Sequence, residues 1–159
     1  MPQPLRDLST LNLTEDVMPV AQIRELLPHA HEFELVDGVC FLDTEDDVII
    51  AYKDWPEDPW WGRGHIPGRP IMPGVLMIEG CAQAASILMK VKTTGWPKDQ
   101  FIGLGGVDNA RFRGAVTPPA RVYFLATQGR QNARMARYPC QAFTGGKLIF
   151  EMDLLGVRL

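Results

Sequence analysis

Two residues in this chain have the types and spacing for acid–base chemistry. His65 lies in Gly64-His65-Ile66-Pro67-Gly68-Arg69-Pro70, and Glu79 follows fourteen positions later in the run Val75-Leu76-Met77-Ile78-Glu79. A loop stiffened by proline and turned by glycine can hold an imidazole in one place. Imidazole is the side chain best matched to taking a proton near neutral pH. A carboxyl group inside an apolar helix loses hydration, and the expectation is that burial raises the pKa of Glu79 and lets it hold a proton. Gly74 would open that helix, with its amide free to bond a developing oxyanion. Base, protonated acid and oxyanion donor suit proton removal beside a carbonyl with loss of a β-leaving group.

Each residue also has a quieter reading. His65 could be a structural loop histidine, and Glu79 a buried acid satisfied by a backbone amide. Gln83, one turn past Glu79, could orient a substrate hydroxyl or bond a neighbouring carbonyl. His29, His31 and His65 could form an open three-histidine zinc site, but no sequence feature ties them together and no metal is expected. Cys40, Cys81 and Cys140 are odd in number and widely spaced. That suits buried free thiols in a reducing cytosol better than disulfides or a four-cysteine zinc site.

The elements that must position these groups are legible in outline. Residues 1–18 are polar with two prolines and read as an extended or loosely docked arm; residues 19–159 read as one domain. Pro19 is placed to open a helix carrying Val20, Ile23, Leu26 and Leu27, which Pro28 ends. Phe33 to Leu42 reads as a strand pair turning near Asp37-Gly38, and Val48 to Tyr52 as a further strand. Trp55 to Pro73, rich in proline, glycine and tryptophan, reads as a long structured loop of the kind that is usually functional, its tryptophans either core packing, the commoner use of large aromatics, or a substrate lid. Gly74 to about Val91 reads as a helix whose polar residues Glu79, Gln83, Ser86 and Lys90 make one narrow stripe, so a sheet must wrap most of it. It is shorter than the roughly 20 residues of a membrane span and carries polar groups.

After Gly95-Trp96-Pro97 the chain reads as strands over Phe101 to Arg113, Arg121 to Gly129, Ala133 to Thr144 and Lys147 to Val157. A turn falls at Pro118-Pro119 and a hairpin at Gly145-Gly146. The class is α+β, an antiparallel sheet around a buried central helix. The apolar share of 46%, charged share of 22% and net charge of −3 suit a soluble globular protein and call for neither nucleic acid nor an anionic membrane. No basic start followed by an apolar run opens the chain, so no signal peptide is expected and a cytoplasmic location is. Acids crowd Glu32 to Asp58, while Arg111, Arg113, Arg121, Arg130, Arg134 and Arg137 sit among few acids. This segregation suits either pairing within and between subunits or a seat for an acidic partner.

His65 to Gln83 closely resembles the signature of the β-hydroxyacyl-acyl carrier protein dehydratases of fatty-acid synthesis. Leu26-Leu27-Pro28-His29 with Phe33-Glu34-Leu35-Val36-Asp37 resembles that family's first block, and Ala110-Arg111-Phe112-Arg113 with Val116 and Pro118 its third. The resemblance spans roughly residues 20 to 157. It implies a hot-dog fold and a hydro-lyase converting 3-hydroxyacyl thioesters to trans-2-enoyl thioesters, a step of lipid metabolism. His65 would take the α-proton, Glu79 would protonate the departing hydroxyl, and the Gly74 amide would polarise the thioester carbonyl. Pro73, Gln83, Arg111 and Arg113 are the candidate substrate-binding residues. The resemblance implies no metal and no redox cofactor, since the pantetheine arm comes with the acyl carrier protein. It also implies a homodimer, alone or as a trimer of dimers, with the histidine of one subunit facing the acid of the other. A hot-dog acyl thioester hydrolase and a non-catalytic acyl-binding protein are the rival readings. The chain departs from the family in Ala30-His31-Glu32 (usually Arg-Tyr-Pro), Gly80-Cys81 (usually Ala-Leu or Ala-Met) and Pro119-Ala120 (usually Gly-Asp).

Overall fold

The computed structural model describes residues 3–93, 95, 97 and 100–159. A short strand β1 (Met18–Pro19) leads into helix α1 (Val20–Leu26), followed by β2 (Gly38–Asp43) and β3 (Val48–Trp55). The long helix α2 (Gly74–Lys92) precedes β4 (Ile102–Phe112), β5 (Ala120–Thr127), β6 (Met135–Thr144) and β7 (Lys147–Arg158). All seven strands form one sheet in the order β1-β2-β3-β5-β6-β7-β4, every pair antiparallel. The sheet wraps α2, as expected for a hot-dog fold.

The helix is buried because its packing residues are apolar and small where the sheet comes close. Leu76, Met77, Cys81, Ala84, Ala85, Ile87 and Leu88 join one core with Ile49, Ala51, Phe124, Ala126, Ala142 and Phe150 from the strands. Gly80 is the tightest point: a Cβ there would lie 2.3 Å from Cζ of Phe124. By length and hydropathy α2 could cross a membrane, yet more than half of its apolar window is buried inside the fold. Its last turn carries Lys90 and Lys92, which suits the negative end of the helix dipole. Lys90 Nζ donates to Leu26 O at 2.6 Å, tying α2 to the end of α1.

The strand Val48-Ile49-Ile50-Ala51-Tyr52 is an unbroken apolar run because both of its faces are covered. Ile49 and Ala51 face α2, while Ile50 and Tyr52 join a second cluster with Cys40, Leu125 and Phe143. Leu8, Leu11 and Leu13 of the N-terminal arm pack against that cluster. The arm is therefore docked along the outer face of the sheet, not loose. Leu5 N donates to Gln141 Oε1 at 2.8 Å, and Tyr52 Oη donates to Asp16 at 3.1 Å. All three cysteines are buried and free.

Residues 34–37, expected as half of a strand pair, are not a strand; a 3-10 turn at His31–Phe33 precedes them. The Leu35 amide is taken by the Gln83 side chain, and the Asp37 amide by Tyr52 O. Gly145 and Gly146 make the β6–β7 turn at φ 53° and 73°, angles that suit glycine. Trp96 of the Gly95-Trp96-Pro97 stretch lies outside the described residues. The segregated charges partly meet across strands: Arg121 stands opposite Asp54 in the β3–β5 register and pairs with it at 2.6 Å.

Candidate active site

The loop from residue 56 to 73 holds His65 at two points. Its backbone N–H donates to Trp61 O at 2.8 Å, and Trp61 is anchored by a buried indole packed edge-on against Trp55, with centroids 5.5 Å apart. The ring is fixed separately, with Nδ1 2.8 Å from Ile71 O. A carbonyl only accepts, so Nδ1 carries the proton and donates, and the lone pair lies on Nε2. The next residue, Ile66, has φ 57°, an unfavourable angle for a β-branched side chain. Such strain persists only where the surroundings impose it. Here a turn closed by Arg69 N to Ile66 O at 3.0 Å does so.

Glu79 lies in the second turn of α2. Its Oε1 is 3.2 Å from His29 Nε2 and 2.9 Å from Gln83 Nε2. These bonds overturn the expectation of a raised pKa. The carboxyl is held below its ordinary value, chiefly by the His29 hydrogen bond, with desolvation opposing and the Gln83 bond adding to the lowering. Donors aimed at the ionised form outweigh burial here.

Gln83 is itself almost fully buried. Its Oε1 accepts from Leu35 N at 3.1 Å, and its Nε2 donates to Phe33 O at 2.8 Å as well as to Glu79. The amide is thus occupied by protein groups and fixes the carboxyl. His29, on the segment just after α1, is named in the sequence only as part of the first family block and as one of three histidines that could bind zinc, yet it stands against Glu79. The signal for its role was Pro28, which stops α1 and turns the chain toward α2.

Pro73 precedes Gly74 at the start of α2, and no side chain caps this end. The Phe112 ring lies where a Cβ on residue 74 would be, 2.7 Å away. Only glycine permits that approach at the start of α2. Arg113 is engaged in an ion pair with Glu151 of the neighbouring strand, whereas exposed Arg111 donates locally, to Ala110 O. Among the described residues no hydrogen bond or ion pair joins His65 to Glu79, and no group of three His, Cys, Asp or Glu is gathered as metal ligands. His29 faces Glu79, while His31 lines an acidic groove with Glu32, Asp58 and Trp60.

A single antiparallel sheet wrapped on one long helix, with a histidine on the loop before it and a carboxyl in its second turn, is the frame of a hot-dog fold. A family model described as a FabA-like domain matches residues 27–153; the chain belongs to this FabA-like family. It is 36% identical over 147 residues to the 3-hydroxyacyl-[acyl-carrier-protein] dehydratase FabZ of Sinorhizobium medicae, covering 91% of this chain and 94% of that one. The protein of the same name from Campylobacter jejuni is 35% identical over 142 residues, covering 87% and 95%. Among solved structures, the dehydratase heterocomplex ApeI:P of Xenorhabdus doucetiae superposes with a TM-score of 0.71 at 16% identity, over 86% of this chain and 90% of that chain. A hypothetical thioesterase protein from Streptococcus pneumoniae gives a TM-score of 0.56 at 6% identity, over 76% and 84%. These last two likenesses show the fold alone.

Proposed function

We propose that this protein dehydrates 3-hydroxyacyl thioesters carried on acyl carrier protein to trans-2-enoyl thioesters, with His65 as base and Glu79 as acid. The observation that carries the reading is the pinned ring of His65: Nδ1 bonded to Ile71 O leaves Nε2 as a fixed proton acceptor. His65 Nε2 takes the α-proton, and the C–H electron pair moves into the new C=C bond as the β-carbon–oxygen bond breaks. The departing hydroxyl takes the proton of Glu79 and leaves as water. His65 is then imidazolium and Glu79 carboxylate, and return of one proton between them through solvent resets the site. The Gly74 amide bonds the thioester oxygen as charge gathers there.

A second copy of the chain completes the site. β4 is a sheet edge, and Leu104, Phe112 and Val75 are more than half exposed beside it. Edge-to-edge pairing of two β4 strands would satisfy free backbone groups and cover this apolar surface. It would also exclude water from Glu79, raising its pKa toward what a proton donor needs. The reaction is cytoplasmic, and the carrier's acidic surface meets Arg111, since Arg113 is already engaged with Glu151.

The test is incubation with 3-hydroxyacyl carrier substrates of graded chain length, read by mass spectrometry. Loss of one water with the thioester intact is expected. Release of free thiol, or no turnover with any chain length, would overturn the reading.

A further inference from the structure

We infer that His29 is a positioning residue for the dehydration: it holds oxygen Oε1 of Glu79 so that Oε2 alone can carry the proton to the leaving hydroxyl. The inference rests on the reading of Glu79 as the acid. Two nitrogens converge on Oε1: Gln83 Nε2 donates to it at 2.9 Å, and His29 Nε2 lies 3.2 Å away as an ion-pair partner. An oxygen that accepts the Gln83 bond and faces the His29 nitrogen is a poorer place for a proton than its partner, so the acid's proton resides on the other oxygen.

The ring's own orientation is fixed by burial. Nδ1 of His29 is buried with no hydrogen-bond partner. A lone pair left unsatisfied there is tolerated better than an N–H. The proton therefore sits on Nε2, and His29 donates to Glu79. The small cavity on the ring's other side is lined by Ile23, Arg24, Leu27, Glu34 and Gln83. Its two charged members are joined to each other by bonds of 2.7 and 2.8 Å. The charges facing His29 from that side cancel, and the carboxylate is the group that it serves.

The clamp has a backbone that does not depend on the ring. Pro28 ends α1, and Gln83 grips Phe33 O and Leu35 N. The segment carrying His29 is thereby held against α2 at its far end. Changing the imidazole should release the carboxyl without releasing the segment.

The experiment compares His29→Leu, which has no donor, with His29→Gln, whose amide nitrogen can reach the place of Nε2. Measured are kcat, KM, the melting temperature, and the pH dependence of kcat/KM, with Glu79→Gln identifying the limb that Glu79 controls. His29→Leu should lower kcat by about 10- to 100-fold, as loss of orientation does, with KM nearly unchanged and folding intact. Loss of a donor to the ionised form raises a carboxyl pKa, so the Glu79 limb should move to higher pH. His29→Gln should recover most of the rate and return the limb. Parental kcat in His29→Leu, or no recovery in a folded His29→Gln, overturns the inference. So does a rate loss that follows melting temperature alike in both variants. Parental turnover in Glu79→Gln would instead remove the acid on which the inference rests, and so separates the two failures.

Discussion

The carbonyl of Trp61 accepts the backbone N–H of His65 at 2.8 Å, so the candidate base is hung from a residue whose own side chain is in the core. Trp60, the neighbour of Trp61, is 47% exposed, whereas Trp61 is 3% exposed. The tryptophan loop is thus neither all lid nor all packing. One indole anchors the base, and the other faces solvent above the acidic groove.

Trp61→Ala should therefore cost about 3–5 kcal/mol of stability and lower kcat in whatever fraction stays folded. Trp60→Ala should change stability by less than about 0.5 kcal/mol. Thermal melts of both variants, with turnover measured well below the transition, check the contrast. Equal losses in the two would contradict the anchoring role.

Phe124 occupies the space beside Gly80. Gly80→Ala would gain about 1 kcal/mol of helix propensity. Against that, the new methyl would sit 2.3 Å from a ring that is fully buried. Overpacking of this kind costs about 1–3 kcal/mol, so net destabilisation is expected. Combining it with Phe124→Leu should cost less than the sum of the single changes, because contacting sites couple. Denaturant melts of the four proteins form the cycle that tests it.

Much of this was legible because the signals are local. Prolines and glycines bound the His65 loop, α2 has one narrow polar stripe, and Gly145-Gly146 marks a hairpin. What was not legible came from contacts between residues far apart in the chain. Gln83 captures the Leu35 amide 48 positions away and denies residues 34–37 to a strand. The arm looked polar and loose, yet its leucines cover the outer face of β3; the unbroken run Val48-Ile49-Ile50-Ala51-Tyr52 was the clue that something had to. The pKa of Glu79 was expected in the wrong direction because burial could be read from helix periodicity and a donor from another segment could not.

That lowered pKa has a thermodynamic consequence in the isolated fold. A carboxyl whose folded pKa lies below its unfolded value binds fewer protons when folded. It contributes stability above the unfolded value, ordinarily near 4.5, and loses it as pH falls through the lowered folded value. Glu79→Gln should then be less stable than the parent at neutral pH, with the difference shrinking below about pH 4.5. Urea melts across that range measure it. A difference that widens on acidification would mean that desolvation, not the His29 bond, dominates in the assembled protein.

The last expectation concerns where the two halves of the site come from. His65→Ala and Glu79→Gln should each lower turnover by about 10² to 10⁴ while remaining folded. No bond joins the two residues within one chain, and β4 with Val75, Leu104 and Phe112 presents the face on which a second chain would seat. If the histidine of one protomer works with the acid of the other, a heterodimer of the two inactive variants holds one wholly intact site and one doubly damaged site. Random re-pairing of equal amounts makes about half of the dimers mixed, each with one working site of two, so about a quarter of parental activity should return. Were both residues used within one chain, every site in the mixture would lack one partner and activity would stay at the level of the single variants. Unfolding and refolding the proteins together, against a control mixed without re-pairing, distinguishes the two arrangements. A stably folded, fully active monomer in sedimentation would exclude the shared site outright.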